Sequence, residues 1–415
     1  SILDALRKSE YISVDECICE EYEKWIKENP FDEGNGWGSV PWSQKEMPLS
    51  EEFICEAEKR NDAAIVIIGR TAGEDQDNKN EAGSYLLTDT EKEMVEKVSK
   101  AFARTIVVLN VGNIIDMKWV KECNPAAVLY VWQGGQEGGN GVADVLMGRV
   151  NPCGKLTDTI AANVNDYPSA PYFGDPYRNF YSEDIYVGYR YFETFARDKV
   201  LYPFGFGLSY TTFDIAITGA KQLSDKWDFT VKVTNTGNYS GKEVVQIYCK
   251  APQGRLGKPS RVLCGYEKTD TLAPGKSQVM TISVSNAQIA SYDDSGVTGH
   301  AHCFVLEEGT YRFYAGSDVR SAKEFYHCPQ NSTEVISRHE QALAPVESFD
   351  RIHPEISEGR YVIRMENVPL SHVDEAKRRQ DNLPKEIPFT GDKGIRLADV
   401  KNGTHTMDEF IAQLT

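Results

Sequence analysis

Long uninterrupted apolar runs in the first half of the chain place the strongest constraint on its fold. Three segments share this pattern: residues 63–69, 106–109 and 126–131. A strand buried on both faces of a parallel sheet has such a run, whereas a half-buried strand alternates apolar and polar residues. Helical patterns separate the runs, and strands that alternate with helices are typical of an α/β fold. We therefore predict an α/β sandwich unit at residues 60–160, with a mostly parallel sheet flanked by helices.

A helix is predicted between the first two runs. Thr88 and Glu91 have the spacing of a capping box, in which each side chain accepts a hydrogen bond from the backbone amide of the other residue. The residues that follow are apolar at helical spacing: Met94, Val95, Val98, Ala101 and Phe102. Residues 1–60 are polar and also predict helices, and a short helix is expected over residues 141–147.

From about residue 213 the hydrophobic pattern changes to a period of two. The alternating runs lie at residues 229–233, 245–249, 280–284 and 311–315. Several short alternating strands separated by turn residues predict an Ig-like β-sandwich. After Cys328 the chain becomes polar and charged, which indicates a linker or wrapping segment that ends in a helix at 407–414. The expected domains are an α/β sandwich at 1–212, a β-sandwich at 213–328 and a linker at 329–415.

The charge of the chain argues against two classes of partner. Its 45 Lys and Arg residues and 62 Asp and Glu residues give a net charge of −17. Nucleic acids and anionic membranes attract clustered basic residues, so we expect neither as a partner. The nine cysteines form no dense framework and favour free thiols in a reducing compartment, which suggests a cytoplasmic location and leaves a removed signal peptide open. We expect no cofactor, and no metal because Cys17 and Cys19 are too close for the usual zinc spacing.

The first candidate site follows the first apolar run. Residues 70–77 read Arg-Thr-Ala-Gly-Glu-Asp-Gln-Asp. They should lie beyond the carboxyl end of a strand, which is where open α/β sheets bind ligands. Glu74, next to Gly73, can act there as a general acid or base. Composition alone favours a solvated acidic loop.

Two further segments leave their chemistry open. Residues 132–139 are rich in glycine and precede a helix, but they lack the Lys of a phosphate-binding loop, and Glu137 would repel phosphate. We expect Glu137 to be a first-turn or interface carboxylate. Residues 181–210 are rich in aromatic residues and glycine. Such a segment suits a sugar-stacking surface or a rigid joint between domains, and we favour the joint.

Together these segments resemble glycoside hydrolase family 3, specifically its half without the barrel. Arg70-x-x-Gly73-Glu74 resembles the family's Arg-x-Ser-Gly-Glu loop, and residues 132–138 resemble its Trp-x-x-Gly-Gln-Glu-Gly stretch. Three further stretches also resemble the family: residues 151–156 its Asn-Pro-Ser-Gly-Lys-Leu turn, residues 186–213 its Tyr-x-Gly-Tyr-Arg-Tyr-Phe and Pro-Phe-Gly-x-Gly-Leu-Ser-Tyr-Thr-x-Phe motifs, and residues 229–327 its fibronectin type III-like domain.

The resemblance implies a retaining, exo-acting β-glycosidase that hydrolyses terminal non-reducing β-D-glucosyl residues. Glu74 would be its general acid/base, and Arg70 would bind substrate. The family takes its nucleophilic Asp from a Ser-Asp-Trp motif on a (β/α)8 barrel. In this chain Ser224 and Asp225 are followed by Lys226, within the predicted β-sandwich. We therefore expect the nucleophile to come from a barrel-domain chain or segment outside these residues.

Some members of the family carry the barrel last, and the helix at 407–414 would then open it. The expected partners are a β-glucoside or cello-oligosaccharide substrate, as in cellulose degradation, and the barrel domain, with a homo-oligomer left open. Sugar specificity is not readable, because the sugar-contacting residues of the family lie mostly on the barrel. The alternatives are a noncatalytic carbohydrate-binding or scaffold protein derived from such an enzyme, and an unrelated α/β ligand-binding protein with an Ig-like appendage.

Overall fold

The computed structural model describes residues 1–71, 76–341 and 343–414. The chain divides into two units, Ser1–His339 with Phe349–Val368, and Glu340–Ser348 with Pro369–Thr415. None of the helices in these described ranges is both long and apolar enough to cross a membrane.

The first domain of the larger unit contains a parallel sheet, as predicted. Its elements are, in chain order, α1 (Ile2–Arg7), α2 (Glu16–Glu28), α3 (Glu51–Arg60), β1 (Ala64–Gly69), α4 (Asp89–Ala101), β2 (Thr105–Asn110), α5 (Lys118–Cys123), β3 (Ala127–Tyr130) and α6 (Gly138–Leu146). The strands pair in the order β1-β2-β3, and the register aligns Val66 with Val107 and Val107 with Val128. All three apolar runs therefore form strands, and the predicted parallel pairing is confirmed.

One face of the sheet contributes to the core of this domain. Val66 and Ile68 of β1 and Val107 and Leu109 of β2 belong to the same buried cluster as residues of two helices: Ile54, Ala57, Met94, Val95 and Val98. Helix α4 begins with the predicted capping box. The Glu91 amide donates to Thr88 Oγ1 at 3.1 Å, and the Thr88 amide donates to Glu91 Oε2 at 2.8 Å.

The opposite face of β1 is more exposed than its apolar run predicts. Ile65 and Ile67 are 37% and 39% exposed, whereas Val108, the register partner of Ile67 on β2, is fully buried. In the sheet that the structure describes, β1 is an edge strand with a neighbour on one side only. The apolar run thus predicted the strand correctly, but its expectation of burial on both faces was wrong for β1.

A segment with short 3-10 helices connects the two domains. Strands β4 (Ile160–Ala161) and β5 (Val200–Tyr202) pair antiparallel, and α7 (Tyr189–Phe195) precedes β5. Three 3-10 helices also belong to this segment: Val164–Asp166, Ala170–Tyr172 and Arg197–Lys199. Phe192 of α7 is fully buried, and its ring meets that of Tyr167 edge-on at 5.3 Å. This packing fixes α7 against the first 3-10 helix.

The second domain is a β-sandwich, as the period of two predicted. Its elements are β6 (Phe213–Gln222), β7 (Lys226–Asn235), β8 (Val244–Lys250), β9 (Val262–Lys268), β10 (Ser277–Ser285), α8 (Asn286–Ile289), β11 (Ser291–Asp293), β12 (Cys303–Leu306), β13 (Gly309–Gly316), β14 (Lys323–Gln330) and β15 (Glu334–Arg338). The sheets have the strand orders β10-β7-β6, β14-β13-β8-β9 and β11-β12-β15. The aromatic centre of the core includes Phe229 and Phe313, whose ring centroids are 5.0 Å apart.

All nine cysteines are free thiols, which confirms the prediction. Cys249 and Cys264 are buried in the β-sandwich core, where burial raises the pKa of both thiols. Because the thiolate is the reactive form of cysteine, these two side chains act as small apolar core residues.

The β-sandwich extends past the predicted boundary at Cys328. Strand β14 continues to Gln330, and β15 pairs antiparallel with β12 as far as Arg338. The charged residues after Cys328 hide these strands in the sequence, because an edge strand tolerates polar and charged side chains.

A β-hairpin occupies part of the predicted linker. Strands β16 (Asp350–Ser357) and β17 (Arg360–Asn367) pair antiparallel and belong to the larger unit. Glu358 and Gly359 form the two-residue turn, both with positive φ, which is the geometry that hairpin turns of this length prefer. The Ile352 amide donates to Ser182 O at 2.7 Å and attaches the hairpin to the connecting segment.

The described residues of the smaller unit form three short helices, α9 (Glu375–Asp381), α10 (Leu397–Lys401) and α11 (Met407–Ile411). Gln413 Oε1 accepts hydrogen bonds from the amides of Lys393 and Ile395, both at 3.0 Å. The helix predicted at 407–414 is therefore present over its first five residues. Its assignment as the start of a barrel stays a prediction.

The aromatic core of the β-sandwich generates the first testable prediction. Phe229→Ala should lower the free energy of unfolding by about 3–5 kcal/mol, because it removes a fully buried ring and leaves a cavity. Val279→Thr is the matched control, since Val279 is 61% exposed on the neighbouring strand β10; its effect should stay within about 0.5 kcal/mol. Urea unfolding followed by circular dichroism measures both, and equal losses would contradict the assigned core.

Candidate active site

The segments that follow β1 and β3 meet at the carboxyl edge of the parallel sheet. Gln133 Nε2, after β3, donates to Arg70 O, after β1, at 3.3 Å. Gly112, after the central strand β2, leaves room for this contact, since an added Cβ there would lie 2.9 Å from Gln133 Oε1. The sequence-predicted acidic loop and the glycine-rich segment therefore begin side by side at the position where open α/β sheets bind ligands.

Arg70 is buried, and its guanidinium donates hydrogen bonds to other groups of this chain. Its two terminal nitrogens donate to Glu91 Oε1 at 2.6 Å and to Glu91 Oε2 at 3.0 Å. The remaining donors reach three backbone carbonyls: Gly69 O at 2.7 Å, Ser84 O at 3.0 Å and Leu86 O at 3.2 Å. All five N–H groups of the side chain thus have acceptors. A hydrogen bond to substrate would have to displace one of them, so the geometry favours a structural role, and substrate binding by Arg70 stays a prediction.

Glu91 is a site residue that the sequence did not identify. The capping pattern predicted its place in the first turn of α4, and Glu91 Oε2 indeed accepts from the Thr88 amide at 2.8 Å. Nothing in the local pattern indicated that the same carboxylate pairs with Arg70. The pairing requires the loop over residues 76–88 to return α4 to the end of β1, and this is a long-range property of the fold.

Both flanks of the acidic loop are attached to one irregular segment, residues 40–42. The Thr71 amide donates to Trp42 O at 2.8 Å, and Thr71 Oγ1 donates to Pro41 O at 2.8 Å. On the other side, Gln76 Nε2 donates to Val40 O at 2.8 Å. Three consecutive carbonyls therefore hold the residues that enter and leave the loop. Residues 40–42 show no periodic pattern, so their contacts with this loop could not be predicted from the sequence.

Glu74, the predicted acid/base, lies outside the described residues, together with Ala72, Gly73 and Asp75. Its role stays a prediction.

The segment that supports Arg70 is itself buried. Tyr85 is buried and lies between Ser84 and Leu86, whose carbonyls both accept from Arg70. Its own carbonyl accepts from the Asp116 amide at 2.8 Å. Burial raises the pKa of Tyr85 and that of Asp116. Lys118 Nζ, 3.6 Å from the Asp116 carboxylate, partly counteracts the rise in the pKa of Asp116. The Tyr85 phenol therefore stays neutral at physiological pH. The segment around Tyr85 holds Arg70 through the carbonyls of Ser84 and Leu86.

Trp132 and Glu137 are the two residues of the glycine-rich segment with distinctive positions. Trp132 has a φ of 57°, and its ring contacts that of Tyr130 in a tilted arrangement with the centroids 4.5 Å apart. Glu137 is the N-cap residue of α6 and is exposed, and Asn140 Nδ2 donates to its carboxylate at 2.5 Å. Glu137 thus lies at the helix terminus, one position before the first turn in which it was expected.

The aromatic segment at 181–210 contributes to a joint between the two domains of the larger unit. The rings of Tyr189 and Phe204 stack at 4.5 Å, and both pack against the buried cluster that contains Tyr248 and Val319 of the β-sandwich domain. Tyr189 also accepts a hydrogen bond from the Leu263 amide at 2.9 Å. These contacts support the interpretation as a rigid joint.

Sequence comparison identifies both domains. Residues 44–210 match the C-terminal domain of glycosyl hydrolase family 3, and residues 243–319 match a fibronectin type III-like domain. The chain therefore belongs to glycosyl hydrolase family 3 and carries its α/β C-terminal domain followed by the fibronectin type III-like domain.

The similar proteins are β-glucosidases. The β-glucosidase of Ruminococcus albus is 54% identical over 97% of this chain, which spans 42% of that protein. β-Glucosidase A of Butyrivibrio fibrisolvens is 38% identical over 91% of this chain, which spans 52% of its length. A solved β-glucosidase structure from Paenibacillus barengoltzii matches the whole chain with a TM-score of 0.93 and 46% identity, and 46% of that protein is covered. The chain thus spans about half the length of these relatives.

The ion pair between Arg70 and Glu91 generates the second prediction. Glu91→Ala should destabilise the α/β domain by about 3–5 kcal/mol, because it leaves the Arg70 charge buried without its carboxylate. Glu93→Ala on the same helix removes an exposed partner of Lys97 and should cost less than about 1 kcal/mol. Urea unfolding compares the two variants. A Glu91→Ala protein as stable as Glu93→Ala would show that the pair does not hold this edge together.

Proposed function

We propose that this chain is the acid/base-bearing half of a retaining, exo-acting β-glycosidase that hydrolyses terminal non-reducing β-D-glucosyl residues. The observation that carries the proposal is the position of the Arg-x-x-Gly-Glu sequence. Its first residue, Arg70, follows β1 directly at the carboxyl edge of the α/β sheet, in a chain that belongs to glycosyl hydrolase family 3. The β-glucosidases named above support the choice of a β-glucosyl group.

In this mechanism Glu74 has two tasks. As an acid it donates a proton to the glycosidic oxygen while a nucleophilic carboxylate attacks the anomeric carbon, so that the aglycone leaves and a glycosyl-enzyme ester forms. As a base it then takes a proton from the water that hydrolyses this ester, and the sugar leaves with its anomeric configuration retained. The two carboxyl groups of a retaining enzyme lie about 5–5.5 Å apart.

The nucleophile is proposed to come from a (β/α)8 barrel domain outside these residues. Asp225 follows Ser224, as the Asp of the Ser-Asp-Trp motif follows its Ser, but Lys226 replaces the Trp. Asp225 lies in the turn between β6 and β7, where its carbonyl accepts from the Asn286 amide at 2.8 Å. This contact belongs to the β-sandwich, so Asp225 has a structural position there.

The flanks of the acidic loop supply the local support for Glu74. Arg70 is fixed through Glu91 and three carbonyls, whereas Thr71 and Gln76 are fixed by the carbonyls of residues 40–42. Enzymes gain rate from catalytic groups that are held in place before substrate binds. A network that anchors both ends of a short loop favours such preorganisation over a freely solvated loop.

The third prediction tests Glu74 by complementation. The chain alone should not hydrolyse a β-glucoside, whereas the chain combined with a barrel domain that carries Ser-Asp-Trp should. In that assembly, Glu74→Ala should lower kcat/KM on cellobiose by roughly 10²–10⁴-fold. An activated aryl glucoside should lose less in the first step, because its leaving group needs no proton, and azide should rescue the second step as a substitute nucleophile.

Glu81→Ala is the control, since Glu81 is an exposed carboxylate in the loop after Gln76. Unchanged rates and an unchanged pH profile for Glu74→Ala would contradict the acid/base assignment. Failure of the wild-type assembly to turn over any β-glucoside would instead support the noncatalytic carbohydrate-binding or scaffold alternative.

The fourth prediction concerns Thr71. Thr71→Val removes the hydrogen bond to Pro41 O and keeps the shape of the side chain, whereas Thr71→Ser keeps the hydroxyl. In the active assembly, Thr71→Val should lower kcat on cellobiose by about tenfold and leave KM nearly unchanged, because only positioning is lost. Thr71→Ser should restore most of the rate. A fall in thermal stability without a change in kcat would show that the contact is structural only.

A further inference from the structure

A cavity of about 320 Å³ lies in the larger unit, on elements other than those that carry Arg70 and Thr71. The 3-10 helices, α7 and the hairpin β16–β17 form its walls. Its volume is at the lower end of the roughly 300–1,000 Å³ that small-molecule sites occupy. The cavity is therefore large enough for a single ring-sized ligand.

Two of its walls are apolar. The rings of Tyr167, Tyr172 and Tyr191 line one part, and the side chains of Ile363 and Met365 of β17 line another. Tyr167 is held by its hydroxyl, which donates to Thr159 O at 2.7 Å and accepts from the Ala161 amide at 3.1 Å. The hydrogen bond between Ile352 and Ser182 holds the hairpin wall in place. A ligand here meets preformed aromatic and aliphatic surfaces.

A charged pair lies at the polar side of the cavity. Asp166 Oδ1 and Lys199 Nζ are 3.7 Å apart, which is longer than a hydrogen bond, so the acceptor and the donor both retain bonding capacity. Asn165 lines the cavity beside Asp166 and adds an amide. Burial and the nearby Asp166 raise the pKa of Tyr191, so its phenol is neutral at physiological pH. Donors and acceptors therefore lie around one edge of an apolar space.

This combination excludes several ligand classes. The Asp166 carboxylate disfavours a phosphate or another anion. The charged edge disfavours a purely apolar ligand, because such a ligand would displace water from Asp166 and Lys199 and offer neither a hydrogen bond. A pyranose ring with equatorial hydroxyls has the matching shape. Its C–H faces are apolar and suit aromatic and aliphatic walls, whereas its rim carries vicinal hydroxyls that can donate to a carboxylate and accept from an ammonium group.

We propose that this cavity is a binding site for a glucosyl ring, with Tyr191 and the β17 side chains against its faces and Asp166 and Lys199 at its hydroxyls. The choice of glucose rests on the proposed function, since a β-glucosidase releases this sugar and encounters it at the ends of its substrates. The site requires no catalytic residue and can bind glucose or the terminal ring of cellobiose.

Methyl-labelled NMR of the full 415-residue chain tests the proposal. Titration with glucose or cellobiose should shift the Met365 and Ile363 methyl signals saturably, whereas sorbitol, which has similar hydroxyls but no ring, should not. Ile363→Val and Met365→Leu assign the two signals. Asp166→Ala and Tyr191→Leu should each weaken glucose binding by about tenfold, and Asp166→Asn, which keeps an acceptor, should lose less.

Tyr177→Ala is the control, because Tyr177 is 93% exposed and does not line the cavity; its glucose affinity should equal that of the unmodified chain. Absence of saturable shifts with both sugars would overturn the proposal, as would equal shifts with sorbitol or an unchanged affinity in a folded Asp166→Ala protein. This experiment needs no turnover. Sugar binding without activity of the assembly would contradict the proposed function alone, and activity without sugar binding here would contradict the cavity alone.

Discussion

The buried ion pair between Arg70 and Glu91 is the interaction on which the candidate site depends. It joins the end of β1 to the first turn of α4, and Arg70 also binds the segment around Tyr85. Removing two charges from water is costly, and the cost is offset only when every donor and acceptor has a partner. Here the guanidinium is saturated, and Glu91 additionally caps α4. One contact therefore fixes a strand end, a helix start and the entrance to the acidic loop.

Further contacts in the larger unit hold the flanks of the acidic loop and join the two domains. Residues 40–42 hold both flanks of the loop, and the aromatic joint around Tyr189 and Phe204 packs the connecting segment against the β-sandwich. The ion pair between Lys155 and Glu243, 2.9 Å apart and largely buried, adds a second link between the two domains. The β-sandwich is thus attached to the α/β domain by both apolar and charged contacts.

Much of this fold could be predicted from local patterns. The three apolar runs predicted β1 to β3, and the alternation of apolar and polar residues around Phe229 and Phe313 predicted the β-sandwich. Both patterns are local, because the spacing of apolar residues along a strand reflects which of its faces are buried. The pairing of Arg70 with Glu91 could not be predicted, since it joins residues whose local patterns are unrelated. The hairpin at 350–367 was missed because many of its residues are polar or charged, and its attachment to Ser182 is a long-range backbone contact. The proposed acid/base role of Glu74 rests on the resemblance to the family, because the residues of a loop show no periodic pattern that could indicate it.

The position of β1 at the edge of the described sheet has a consequence for hydrogen bonding. On its side away from β2, the amides and carbonyls of β1 have no strand to pair with in that sheet. An edge of this kind is a template for a further strand, and the exposed Ile65 and Ile67 give an added strand apolar side chains to cover. Whichever segment or molecule extends the ladder also shields this face from water.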